Sequence, residues 1–232
     1  MSPERYFRVR AGSTVGWARQ EGEALRLLDG APWADPRDRE ETLLLAEAAF
    51  LPPATPSKIV AVGRNYADHA AERGQAVPKE PLLFFKPPSA VVGPGEAIRH
   101  PAWVGRVDHE AELGVVIGRE ASRLPGPEAA LAHVFGATSV NDVTARELQE
   151  KDVQFTRAKG FDTFCPVGPC IATGLDLGRR RVVGRVNGEV RQEGSTEQLV
   201  FSVAHLVWYV SRVMTLLPGD IISTCLLYTS DA

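Results

Sequence analysis

The chain has 232 residues, 44% apolar and 24% charged, which supports a sizeable core and excludes a disordered segment. A net charge of −3 offers no basic field for a phosphate backbone, so no nucleic-acid partner is expected. Cys165, Cys170 and Cys225 form neither a C-x-x-C pair nor a disulfide framework, and no apolar run approaches the ~18 residues of a membrane helix. The N-terminus carries charge where a signal peptide needs an apolar stretch, so a cytoplasmic protein with no membrane partner is expected.

Residues 6–10, 14–19 and 24–28 read as short strands separated by Gly-containing turns, followed by a polar loop at 35–41. Pro52, Pro53 and Pro56 resist both helix and ladder, so residues 51–56 are expected to link a small β-rich domain, 1–50, to the rest. Beyond them, 58–62, 82–85, 90–92, 110–117 and 135–140 read as strands, and 65–73 as a helix stopped by Gly74. Thr144 and Glu147 have the spacing of a capping box, which predicts a helix starting there. Arg179-Arg180-Arg181 reads as a solvated turn. Asn187-Gly188 predicts a hairpin between 182–186 and 189–191, and the apolar spacing at 202–214 predicts a core-facing helix. After Pro218-Gly219-Asp220, Ile221-Ile222 turns back into strand. The sum is a mixed fold dominated by β-structure.

Glu110 and Glu112 lie two apart on an expected strand, hence on one face and ~7 Å apart along the chain. Their repulsion is roughly 2 kcal/mol at an effective dielectric near 20, and a strand running into Val115-Val116-Ile117 carries it toward the core. A divalent cation would answer it, with Asp142, at the end of the next strand, as third ligand. Three carboxylates without a Cys/His cluster imply Mg²⁺, Mn²⁺ or Ca²⁺ rather than zinc. Alone, Glu-x-Glu reads more simply as the solvent face of an alternating strand. His69 and Glu72 would share a helix face, where the carboxylate orients the imidazole as a general base, or where the two form an exposed ion pair of no consequence. Nucleophile-elbow, P-loop, zincin and dinucleotide motifs are all missing from the chain.

Several motifs occur in order. They are Gly63-Arg64-Asn65-Tyr66-Ala67-Asp68-His69, Phe84-Phe85-Lys86-Pro87, the run from His109 through Glu110 and Glu112 to Gly118, and the run from Asp142 through Arg146 to Gln149. Ala158-Lys159-Gly160-Phe161-Asp162, Val186-Asn187-Gly188 through Gln192, and Leu217-Pro218-Gly219-Asp220 follow. Over residues 57–224 this series resembles the fumarylacetoacetate hydrolase family, in its short branch of acylpyruvases, oxaloacetate decarboxylases and 2-hydroxyhepta-2,4-dienedioate isomerases. The resemblance implies an α+β, mainly β fold, a mixed β-sandwich roll behind the small N-terminal domain. It implies Mg²⁺ or Mn²⁺ on Glu110, Glu112 and Asp142, and a catalytic set of His69, Glu72 and Lys159. Arg146, Gln149 and Gln192 would line the substrate pocket of a homodimer whose active site lies near the subunit contact.

The activity implied is metal-dependent chemistry on a small 2-oxo acid through an enolate, with hydrolytic carbon–carbon cleavage of an acylpyruvate-like substrate favoured. Isomerisation and decarboxylation use the same enolate, and a non-catalytic binding protein is the alternative of another class. Val62 stands where the larger hydrolases of the family carry a further acidic ligand, which argues against that branch. Where relatives continue with a Thr-Gly-Thr-Pro loop and more strands, this chain reads Cys225 to Ala232, and that tail is expected to be foreign to the natural protein.

Overall fold

The structure is a computed structural model that describes residues 3–12, 14–66 and 78–225. Its strands are β1 (Arg5–Ala11), β2 (Thr14–Glu21), β3 (Ala24–Leu28), β4 (Asp38–Leu44), β5 (Ala49–Leu51), β6 (Ile59–Gly63), β7 (Leu82–Lys86) and β8 (Val91–Val92). They continue as β9 (Val107–Asp108), β10 (Ala111–Ile117), β11 (Val134–Asn141), β12 (Thr144–Ala145), β13 (Cys165–Ala172), β14 (Arg181–Val186), β15 (Glu189–Ser195) and β16 (Ile221–Ser223). The helices are short, α1 (Pro127–Ala130), α2 (Arg146–Lys151) and α3 (Thr156–Lys159), except α4 (Val203–Val213). The expected α+β, mainly β class is what the chain adopts.

One mixed sheet runs in the order β4-β3-β2-β1-β13-β11-β10-β16-β6-β7. β10 lies inside it, antiparallel to β11 and β16, while β16 runs parallel to β6. That position explains its near-continuous apolar run, because both faces are covered. Leu113, Val115 and Ile117 join Val60 and Val62 against Val203, Leu206, Val207 and Val210 of α4. Val116 faces the other way, into a second core with Ile59, Val140, Val167, Ile171 and Ile221. Burying each such side chain stabilises the fold by ~1.5–3 kcal/mol. Glu112 shares the face of Val116, so the alternation of β10 carries a carboxylate inward.

The N-terminal strands have their own core of Phe7, Val9, Ala18 and Leu25. They also continue the large sheet, because Arg5 and Tyr6 of β1 pair with Ala172 and Ile171 of β13. Ser202 caps α4 by accepting a hydrogen bond from the His205 amide at 3.3 Å. The buried Asp220 carboxylate accepts from Ser57 N and Oγ, Lys58 N and Nζ and Leu217 N, which ties the turn before β16 to the start of β6. No helix among the described residues is long and apolar enough to cross a membrane.

Several expectations need correction. Residues 38–44, of which 38–41 fell in the expected polar loop, form β4 on the sheet's edge, where polar side chains are tolerated. Thr144 does not cap a helix: it lies in β12, its hydroxyl donates to the Asp142 carbonyl at 2.8 Å, and α2 starts two residues later without a side-chain cap. β13 was not anticipated because Pro166, Gly168 and Pro169 argue against a strand interior. Asn65 and Tyr66 do not begin a helix. Tyr66 bridges Leu199, and the Asn65 side chain is held by Phe201 and Thr224. The rest of the expected helix, with His69 and Glu72, and the tail after Cys225 lie outside the described residues.

Candidate active site

The entry of β10 and the exit of β11 are stitched together. The Glu110 amide donates to the Asn141 side chain at 2.9 Å, and the Asp142 amide donates to the Glu110 carbonyl at 2.8 Å. This places Glu110, Glu112 and Asp142 side by side, with one carboxylate oxygen from each within 4.8 Å of the others. Glu112 and Asp142 are buried, and Glu110 is largely covered. Ser223 Oγ at 2.5 Å and the amide of residue 225 at 3.0 Å donate to Glu112 from the end of β16.

Three cationic groups meet this triad, and a fourth, Arg106, meets the neighbouring Asp108. Lys159, at the end of α3, binds Glu110 at 2.9 Å and also Asp142. Lys86, wholly buried at the end of β7, binds the other oxygen of Asp142 at 2.6 Å and donates to the Lys159 carbonyl at 2.5 Å. Arg146, at the start of α2, reaches Glu110 at 2.7 Å and Asp108 at 2.6 Å, and donates to Gln149 at 2.9 Å. Arg106 meets the remaining oxygen of Asp108 at 2.8 Å.

The two glutamates are electrostatically opposite. Burial alone would raise Glu110, but Lys159 and Arg146 outweigh it and hold the carboxyl down at about 2. Glu112 is pushed up to about 8, first by burial and then by Asp142 and Glu110. Burial would lower Lys159, yet Asp142, Glu110 and Glu112 raise it, so it is an ammonium at neutral pH.

The fit of a metal can be judged from these contacts. The donors are all carboxylate oxygens, the set that hard divalent cations take. Lys159's ammonium already sits among them as a stand-in cation, and among the described residues Glu112, raised first by burial and then by Asp142 and Glu110, makes no ion pair of its own. The residues fit a hard divalent ion.

A cleft of about 660 Å³ opens over Glu110, Arg146, Gln149 and Lys159. Val62, Leu82, Leu83, Phe84 and Phe155 give it an apolar wall, with the Phe84 and Phe155 rings edge to face at 5.5 Å. Lys159 Nζ lies 5.0 Å from the Phe84 ring centre, a cation–π contact. Of the residues expected at the site, these four converge with Glu112 and Asp142. Gln192 does not reach the cleft. It is buried, its carbonyl accepts from the Ala111 amide at 3.0 Å and its amide donates to the His109 carbonyl at 2.9 Å, so it fastens β15 to the strand that carries the ligands.

Two residues at the site were missed by the sequence reading, Lys86 and Asp108. Lys86 had a signal, a lone lysine ending an apolar strand, but whether such a residue points inward depends on what the sheet packs against. Asp108 directly precedes the glutamate motif, and only the fold shows that it faces Arg146.

Comparison with known proteins places the chain in a family. Residues 58–225 match the pattern of the fumarylacetoacetate (FAA) hydrolase C-terminal domain, and residues 4–53 match the Rv2993c-like N-terminal pattern. An uncharacterized protein of Archaeoglobus fulgidus is 51% identical over 180 residues, 78% of this chain and 72% of that protein. The mitochondrial oxaloacetate tautomerase FAHD2A of Bos taurus is 45% identical over 185 residues, 77% of this chain and 59% of that protein. The crystal structure of 5-carboxymethyl-2-hydroxymuconate delta-isomerase from Mycobacterium smegmatis superposes with a TM-score of 0.89 at 38% identity, covering 96% of this chain and 88% of that one. The chain therefore belongs to the fumarylacetoacetate hydrolase family.

Proposed function

We propose that the protein is a divalent-metal-dependent enzyme that moves a proton on a small 2-oxo acid, as a keto–enol tautomerase or isomerase. The observation that carries this reading is the convergence of Glu110, Glu112 and Asp142 with the ammonium of Lys159 in the wall of one cleft. Bound Mg²⁺ or Mn²⁺ would supply Lewis-acid polarisation of the 2-oxo group, held by the three carboxylates.

The chain's own residues would do the rest. Arg146, fixed between Asp108 and Glu110, presents a rigid cation to the substrate carboxylate. Lys159 carries a full positive charge beside the oxygen on which enolate charge develops, preorganised by Glu110 and Asp142. Phe84 and Phe155 shield that charge from water, which strengthens it. Proton transfer at the neighbouring carbon would fall to His69 and Glu72, the pair that the family resemblance implies.

The weight here moves from carbon–carbon hydrolysis toward proton transfer for a specific reason. A tautomerase and an isomerase stand among the relatives, and both reactions need a proton moved beside the enolate but no attacking water. Hydrolysis also needs a water activated by His69, so it remains the second reading. Purified protein given oxaloacetate should consume the enol form only with Mg²⁺ or Mn²⁺, and Lys159→Met should lower kcat by about 10²–10³. Enol consumption that continues unchanged in excess chelator would overturn the proposal, and pyruvate or acetate release from an acylpyruvate would favour hydrolysis.

A further inference from the structure

We propose that Arg64 is the specificity-determining residue of the cleft, selecting a 2-oxo acid that carries a second anionic group, and this rests on the 2-oxo acid reading given above. Three observations point to it. Arg64 follows β6, is exposed, and lines the same cleft as Glu110, Arg146 and Lys159. Its backbone is left-handed, with φ at 57°, a conformation that disfavours any residue with a Cβ and that glycine would adopt freely. A long cationic side chain is nevertheless held there, at the cleft wall.

The third observation is charge. Lys159 is neutralised by Glu110 and Asp142, and Arg146 by Asp108 and Glu110. Asp152, also on the cleft, is paired with Arg157. Among the described residues Arg64 has no ion-pair or hydrogen-bond partner, and Glu150 on the same cleft does not engage it. The wall it shares with Val62, Leu82, Leu83, Phe84 and Phe155 is apolar and suits the methylenes that separate two carboxylates. A substrate anchored by its 2-oxo and carboxylate oxygens at the triad and Arg146 would extend along that wall and end on the guanidinium. A forked contact of that kind contributes roughly ten- to a hundredfold in affinity.

Two ligands of equal length separate the cases: 2-oxoglutarate ends in a carboxylate and 2-oxopentanoate in a methyl group. Calorimetric titration of the Mg²⁺-supplemented protein should show the diacid binding at least tenfold more tightly. In Arg64→Gln that ratio should collapse toward one, and in Arg64→Lys part of it should return. Equal affinities in the unmodified protein, binding of neither ligand, or a ratio that survives Arg64→Gln would each overturn the proposal; thermal melts show that the variants are folded. Oxaloacetate turnover measured alongside keeps the two readings apart. A collapsed ratio without metal-dependent turnover sinks the tautomerase reading alone, and turnover with an unchanged ratio sinks the role of Arg64 alone.

Discussion

Glu110 and Glu112 are identical in chemistry and two residues apart, yet their surroundings drive them in opposite directions. The guanidinium and ammonium beside Glu110 hold it at about 2, while burial and two neighbouring anions push Glu112 to about 8, against an ordinary value of 4.5. The consequences for stability have opposite signs. Folded protein keeps the Glu112 proton that the unfolded chain has lost, so metal-free stability should fall as pH rises from about 4.5 to about 8. Glu110 contributes stability above its unfolded value that disappears as pH drops toward 2. Thermal melts across this range should therefore peak on the acid side of neutrality without metal, and added Mg²⁺ should flatten the alkaline decline. Calorimetry at pH 6–7 in buffers of different ionisation enthalpy should record a proton released as the ion binds. Metal uptake without proton release would remove Glu112 from the ligand set.

Lys86 belongs to the same scale. Its ammonium is fully buried against Asp142, so Lys86→Met leaves one oxygen of that carboxylate without its cation, with Lys159 alone on the other, and should cost about 3–5 kcal/mol. The melting temperature should drop clearly, and the stabilisation gained on adding Mg²⁺ should exceed that of the unmodified protein, because the ion then replaces a missing charge. A variant as stable as the parent would show that Lys159 alone suffices for Asp142.

At the level of elements, the site depends on strands being held in register by polar side chains that never touch a substrate. Asp220 joins the turn before β16 to the start of β6 through five donors, four of them from Ser57 and Lys58. Asp220→Ala leaves those backbone amides without their acceptor and should destabilise by roughly 3–5 kcal/mol, read from denaturant midpoints. Gln192→Leu removes both hydrogen bonds to the backbone around Glu110, and should weaken Mg²⁺ binding about tenfold while changing overall stability less. Unaltered metal affinity would reduce Gln192 to a purely structural clip. The Asn187-Gly188 hairpin and the helix over 203–213 were legible in advance because turn chemistry and apolar spacing are local signals. The Thr144–Glu147 spacing misled because the Thr144 hydroxyl is already engaged by the Asp142 carbonyl, a contact that only the packed turn creates. β13 was illegible because its prolines occupy positions that only the neighbouring strands make tolerable.

On the scale of the whole molecule, the N-terminal strands are hydrogen-bonded into the same sheet as the site. Trp17 and Trp33 extend the contact, with Trp33 edge-on to Phe135 at 5.8 Å. Deleting residues 1–50 would bare the edge of β13 and strip that aromatic cover, so the shortened protein should aggregate, as seen by size-exclusion chromatography. A soluble, cooperatively melting fragment would show that the contact is dispensable. The homodimer implied by the family resemblance remains a proposal, and light scattering should give twice the 25.2 kDa of one chain.

The sequence by itself determined the β-dominated class, the family and the identity of the three carboxylates, because alternation, turn chemistry and motif order are properties of neighbouring residues. Tertiary structure alone decided that Lys86 and Asp108 belong to the site, that Gln192 stands behind it, and that Glu110 and Glu112 are held at opposite ends of the acid range. Those outcomes depend on which charges meet across strands far apart in the chain, and on how much water the sheet excludes around them. No local pattern encodes either quantity.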